Sequence, residues 1–92
     1  MGRHARPSPL ACAAMRVILA APAEDPADAE TVIGTLGRWP SLVLLVLGRL
    51  EHRGWVKAER AGRDRIYRPV HARQWYEARI NAATAGERKT DG

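Results

Sequence analysis

Between residues 37 and 69 the hydrophobic period of this chain changes from that of a helix to that of a strand pair, and few folds accept that order. Gly37-Arg38-Trp39 is a break long enough only for a turn. A helix then opens at Pro40 or Ser41 and runs to Arg53, and Gly54 can take the left-handed conformation that closes a helix. At about 100° per residue, Val43, Val46, Leu47 and Leu50 form one narrow stripe, the core face. Ser41, Leu45, Gly48, Arg49 and His52 lie opposite, with Leu42 and Leu44 on the flanks. From Trp55 to Arg60 the pattern alternates, with Val56 and Ala58 on one side and Trp55, Lys57 and Glu59 on the other. Ala61-Gly62-Arg63-Asp64 reads as a turn, and Arg65 to Arg68 as a returning strand ended by Pro69. This predicts a basic β-hairpin whose core side is held by Val56 and Ile66.

The flanking segments are helical. Residues 1–7 show no apolar period and read as a disordered arm. Ser8 is placed as an N-cap with Pro9 at the first helical position, where its missing N–H costs nothing. Leu10, Ala14, Val17, Ile18 and Ala21 follow at helical spacing up to Pro22. Asp25-Pro26 repeats the start signal, and Asp28 and Glu30 suit the positive end of a helix dipole. That second helix reaches about Leu36, with Ala29, Val32, Ile33 and Leu36 inward and Gly37 as its stop. A last helix begins near Ala72, buries Tyr76, Ile80 and Ala83, sets Trp75 and Arg79 on adjacent faces, and ends at Gly86 before a disordered, charged tail over 86–92. The expected organisation is one domain over 8–85, mainly α with a small β-hairpin. Its 92 residues, 46% hydrophobic, support one modest core. With 5% aromatic residues and no Phe, aliphatic side chains must fill most of it. Trp55 and Trp75 read as packing residues, and Cys12 as a small buried hydrophobe. So marginal a core favours a homodimer, for which Leu10, Val17, Tyr76 and Ile80 offer apolar surface.

Charge is the strongest functional signal. The net +5 comes almost wholly from arginine, since Lys57 and Lys89 are the only lysines. All of the excess lies in 49–79, which carries nine bases against four acids, while 1–48 and 80–92 are each balanced. Concentration on one third of the chain is the footprint of a polyanion partner. Other classes are excluded. One cysteine makes no internal disulfide, and the scattered His4, His52 and His71 lack metal-ligand spacing. No apolar run approaches the ~20 residues that span a bilayer. Arg16 interrupts the one stretch resembling a secretory signal, so a cytoplasmic protein is expected. There is no Gly-rich phosphate loop, nucleophile set or carboxylate pair, so neither an enzyme nor a cofactor is implied.

Helix, helix, tight turn, helix, basic hairpin and helix is the order of a winged helix-turn-helix. Leu47-Gly48-Arg49-Leu50-Glu51-His52-Arg53-Gly54-Trp55-Val56, then Gly62-Arg63-Asp64-Arg65-Ile66-Tyr67-Arg68, resembles the winged-helix bacterial regulators of the PadR type, with MarR-type proteins as cousins. The resemblance implies a dimeric transcriptional regulator bound to double-stranded DNA, repressor-like, with a C-terminal helix used for dimerisation. On this reading the recognition helix is about 40–53 and the wing about 55–69, and the DNA-binding residues are Ser41, Leu45, Arg49, His52, Lys57, Arg60, Arg63 and Arg65. Glu51 reads as a structural partner for a nearby arginine. One departure stands out: related proteins carry hydroxyl and aromatic residues where this chain has Leu42, Leu44 and Leu45. Leucine can touch a thymine methyl but discriminates weakly beside a bidentate contact. The alternative is therefore a winged-helix interaction or dimerisation module that meets a protein partner through Leu42, Leu44 and Leu45.

Overall fold

The computed structural model describes the backbone of residues 7–91 and the side chains of residues 7–83. Four helices and three short strands follow one another: α1 (Pro9–Ala20), β1 (Ala27–Asp28), α2 (Ala29–Leu36), α3 (Pro40–His52), β2 (Val56–Ala61), β3 (Asp64–Pro69) and α4 (Arg73–Asp91). The architecture is the expected winged helix-turn-helix. Ser8 caps α1 by accepting the Ala11 N–H at 3.1 Å, with Pro9 just inside the helix. Gly37 and Gly54 both adopt positive φ, 64° and 80°, and so turn the chain at the ends of α2 and α3. Val43, Val46, Leu47 and Leu50 are all buried, as their stripe requires.

Several expectations need correction. The sheet has three antiparallel strands in the order β1-β3-β2, so the hairpin carries a third strand. Ala27 pairs with Tyr67 and Asp28 with Ile66, and two residues are too few to leave an alternating signature. Helix α2 consequently starts after Asp28, not at Asp25-Pro26. The Asp28 carboxylate accepts the Thr31 N–H at 2.7 Å. Hydrogen bonds from the Thr31 side chain and backbone hold its pKa below the ordinary carboxylate value. Because the folded pKa is depressed, the cap's contribution is present at neutral pH and is lost as pH falls through that lowered value. In the hairpin, Val56 shares its face with Ala58 and Tyr67, whereas Ile66 stands opposite Glu59 on the other face. The core side is therefore held by Val56 and Tyr67, and Ile66 is only half-buried. At the C-terminus α4 continues past Gly86 to Asp91. A glycine weakens a helix by about 1 kcal/mol relative to alanine but still supplies its N–H, so it need not end one. The expected arm lies, but for Pro7, outside the described residues.

The core gathers α2, α3, β3 and α4 around α1. Tyr76 is wholly buried and Ile80 is 4% exposed, so neither offers the spare apolar surface expected of them for a partner copy. Few as the aromatics are, they are concentrated. Trp55, Trp75 and Tyr76 meet edge to face, with centroids 5.0–5.9 Å apart. His71 stacks on Trp75 at 3.9 Å, and the Arg79 guanidinium lies 3.7 Å from the centre of the same ring. Cys12 is buried, as expected. The Tyr76 hydroxyl donates to the Trp55 carbonyl at the start of the wing and accepts the N–H groups of Val70, at 2.8 Å, and His71, at 3.1 Å, where the wing ends. Both ends of the hairpin are thereby fastened to one atom of α4. Removing that atom strands three backbone groups, at about 1–3 kcal/mol for a buried unsatisfied group. Tyr76→Phe should lower the free energy of unfolding in urea by about 2–3 kcal/mol; a change below about 0.5 kcal/mol would show that water replaces the hydroxyl without loss.

Candidate nucleic-acid interface

Helix α3 shows solvent a line of Ser41, Leu45, Gly48 and His52 at helical spacing, all exposed. Leu45 is 52% exposed and Leu44, on the flank, 46%, while Leu42 is half-buried. Arg49 stands to one side, in a cleft toward the start of α1 that it shares with Ser8, Ala11, Val46, Leu50 and Arg53. Sequence reasoning missed two residues beside this face. Trp39, at the N-terminus of α3, is 78% exposed. Arg53 caps the other end and doubles the positive charge beside Arg49. The signal for Trp39 was a tryptophan set in a turn, where nothing is available to bury it.

The wing follows α3 without a linker: the Gly54 N–H bonds the Glu51 carbonyl at 3.0 Å and the Trp55 N–H bonds the Leu50 carbonyl at 2.9 Å. Pairing in the hairpin divides its cations between two faces. Arg60 stands directly opposite Arg65, a like-charge pair that is unfavourable unless something negative lies nearby. With Arg63, Ala58, Glu59 and Asp64 they line a depression of about 300 Å³ at the tip. Burial raises the Tyr67 pKa, only partly opposed by the Arg65 charge, so this ring stays neutral and does not offset the arginines. Arg65 also reaches Glu51 of α3 at 3.2 Å, the structural partnership expected of that glutamate. Lys57 is not brought together with the tip. It lies on the other face, 3.7 Å from Glu59, which also pairs with Arg68 at 3.2 Å. The Arg68 guanidinium donates to the Ala23 carbonyl at 3.0 Å and so ties the sheet to the α1–α2 connection. Of the eight expected DNA-binding residues, Ser41, Leu45 and His52 thus share one helix face, Arg60, Arg63 and Arg65 share the wing tip, and Arg49 and Lys57 stand apart from both groups.

Among the described residues no group of three or more His, Cys, Asp or Glu could hold a metal ion, and no helix is long and apolar enough to cross a membrane. A family model described as "Penicillinase repressor" matches residues 12–85. No curated protein matches the sequence. Among solved structures, the chain is similar to a transcriptional regulator (MarR family) from Rhodococcus sp. RHA1, at TM-score 0.58 and 22% identity, over 85% of this chain and 60% of that one. The chain therefore spans less than two thirds of that regulator's length. The PadR-type resemblance holds at the level of winged-helix transcriptional regulators, and the matching family is a different one. The quoted residues explain this: Leu47, Leu50 and Tyr67 are core, and Gly54 and Trp55 shape the wing base, all features that any winged helix needs. Both comparisons are with transcriptional regulators, which are not enzymes.

The Arg65–Glu51 bridge is 60% and 39% exposed, so it fixes the angle of the wing more than it stabilises the fold. A double-mutant cycle with Glu51→Gln and Arg65→Ala should give a coupling of about 0.2–1 kcal/mol that fades with added salt. A coupling several times larger, or one insensitive to salt, would contradict this.

Proposed function

Because the chain belongs to the penicillinase repressor family, we propose that it is a DNA-binding transcriptional repressor whose α3 enters the major groove while the wing holds the adjacent sugar–phosphate backbone. The observation that carries this reading is the convergence of Arg60, Arg63 and Arg65 at the wing tip, two of them paired directly across the strands. Such a pair is unfavourable in isolation and becomes favourable beside a phosphate, where guanidinium donors meet anionic oxygens. Glu51 orients Arg65 from within α3, so helix and wing present their contacts as one rigid surface. Along α3, Ser41 and His52 supply the hydrogen-bonding groups of the outward line, with Arg49 beside them. Lys57 serves as a peripheral phosphate contact, weakened by its pairing with Glu59.

The repressor acts in the cytoplasm as a homodimer, with two α3 helices set about one helical turn of DNA apart on a two-fold site. Helix α4 supports this assembly: it runs to Asp91, eight residues beyond Ala83, a residue it buries in its own domain. Leu42, Leu44 and Leu45 offer a protein partner little, because Leu42 is already half-buried and only Leu44 and Leu45 are substantially exposed.

Phosphate contacts and base contacts separate in one experiment. Arg63→Ala should weaken binding to specific and random duplexes by similar factors and flatten the log–log salt slope by about 0.9. His52→Ala should weaken specific binding more than random binding, because a base contact carries sequence information. If Arg63→Ala leaves affinity and salt slope unchanged, the wing is a solvated hairpin and the reading loses its support.

A further inference from the structure

The outward face of α3 is divided along its length. Its last turns carry the polar groups, Arg49 and His52, whereas the second turn carries Leu44 and Leu45, about half exposed and unable to donate or accept a hydrogen bond. In helix-turn-helix docking it is the N-terminal part of the recognition helix that meets the base edges. Ser41 is then the one side chain in the first two turns that can read a base by hydrogen bonding. Gly48 adds an independent observation. It lies on the same line between Leu45 and His52, and a Cβ built there would meet nothing within 4 Å. Nothing within the chain requires a glycine there, although glycine weakens a helix. The bare backbone there leaves room for a duplex to approach the helix closely.

Resting on the proposed function, we infer that Leu45, assisted by Leu44, is a specificity-determining residue that reads the C5-methyl groups of thymines in the major groove. The methyl is the apolar group that a base pair projects into that groove, and it distinguishes T·A from A·T as well as from the G·C pairs. The surroundings select DNA over a protein as the occupant. His52 stands on the same line, Arg49 beside it, and Arg65 is held at 3.2 Å by Glu51 of the same helix. Leu44 and Leu45, with the exposed Trp39 at the start of the helix, make a patch of only a few side chains, which suits one or two methyl groups and falls far short of the ~800 Å² per partner of a stable protein interface. The helix thus reads its site by pairing apolar contacts at one end with hydrogen bonds at the other.

The test uses the full chain and duplexes selected from a random pool, in which the thymines facing α3 are replaced by deoxyuridine. This removes the methyl and keeps every hydrogen-bonding group. Affinity should fall about fourfold per methyl lost, the effect of exposing one buried CH₂-sized group, while uracils placed only in the flanks should have little effect. Leu45→Ser, a change at an exposed position, should bind thymine and uracil duplexes alike. Three outcomes would overturn the inference: equal binding of both duplexes by the unaltered protein, undiminished discrimination by Leu45→Ser, or a selected site with no thymine opposite α3. Each of these leaves the proposed function standing. Failure to bind any duplex removes both.

Discussion

The Tyr76 hydroxyl is the point on which the geometry of the domain depends. It is wholly buried, and it joins α4 to the residue before β2 and to the two residues after β3. A two-stranded hairpin by itself is marginal in water. Here its base is clamped to a helix, its third strand is two residues long, and its outer face is braced by Arg68 against the Ala23 carbonyl. The aromatic rings of Trp55 and Trp75 pack edge to face against Tyr76 beside the clamp. Arg73 adds a second tie, donating to the Leu19 carbonyl at the end of α1 at 2.8 Å. The wing can therefore project arginines at its tip, offset only in part by Glu51, Glu59 and Asp64, without losing its register. Stability is concentrated at one end of the hairpin and electrostatic tension at the other.

This arrangement also sets how α3 is presented. Its core stripe is aliphatic and narrow, which leaves more than half of its circumference exposed. The helix leads into the wing through Gly54, and the bond between Glu51 and Arg65 closes the angle between them. On the proposed function, a duplex would meet the two elements as neighbouring parts of one surface.

Much of this was legible in the sequence, for a physical reason. The helices, their caps at Ser8 and Gly37, the buried stripe of α3 and the turn at 61–64 follow from local periodicity and backbone chemistry, which neighbouring residues report directly. The charge of segment 49–79 likewise pointed to the hairpin, where Arg60, Arg63 and Arg65 come together at the tip. What could not be read depends on long-range pairing. Strand β1 is too short to show a period and is defined by its partner Tyr67. Hairpin register decided that Tyr67 rather than Ile66 faces the core, and that Lys57 stands away from Arg60 and Arg65. Tyr76 and Ile80 looked like surplus apolar surface because the sequence does not show that α4 packs against α1 and that the wing base closes on Tyr76. Ser41, Leu45 and His52 were found together because one helix carries them, whereas Arg49, on the flank of that face, lines the cleft toward the start of α1.

The central claim is that α3 and the wing tip form one surface for duplex DNA. The most direct measurement is the change in backbone amide NMR shifts as a selected duplex is added to the full chain. Shifts should concentrate at residues 39–53 and 60–65 and move together along one binding curve, while a groove between α1 and α2, lined by Arg16, Ala20, Thr31 and Thr35, is left unchanged. Shifts centred on that groove, or movement of the wing and α3 at different DNA concentrations, would contradict it.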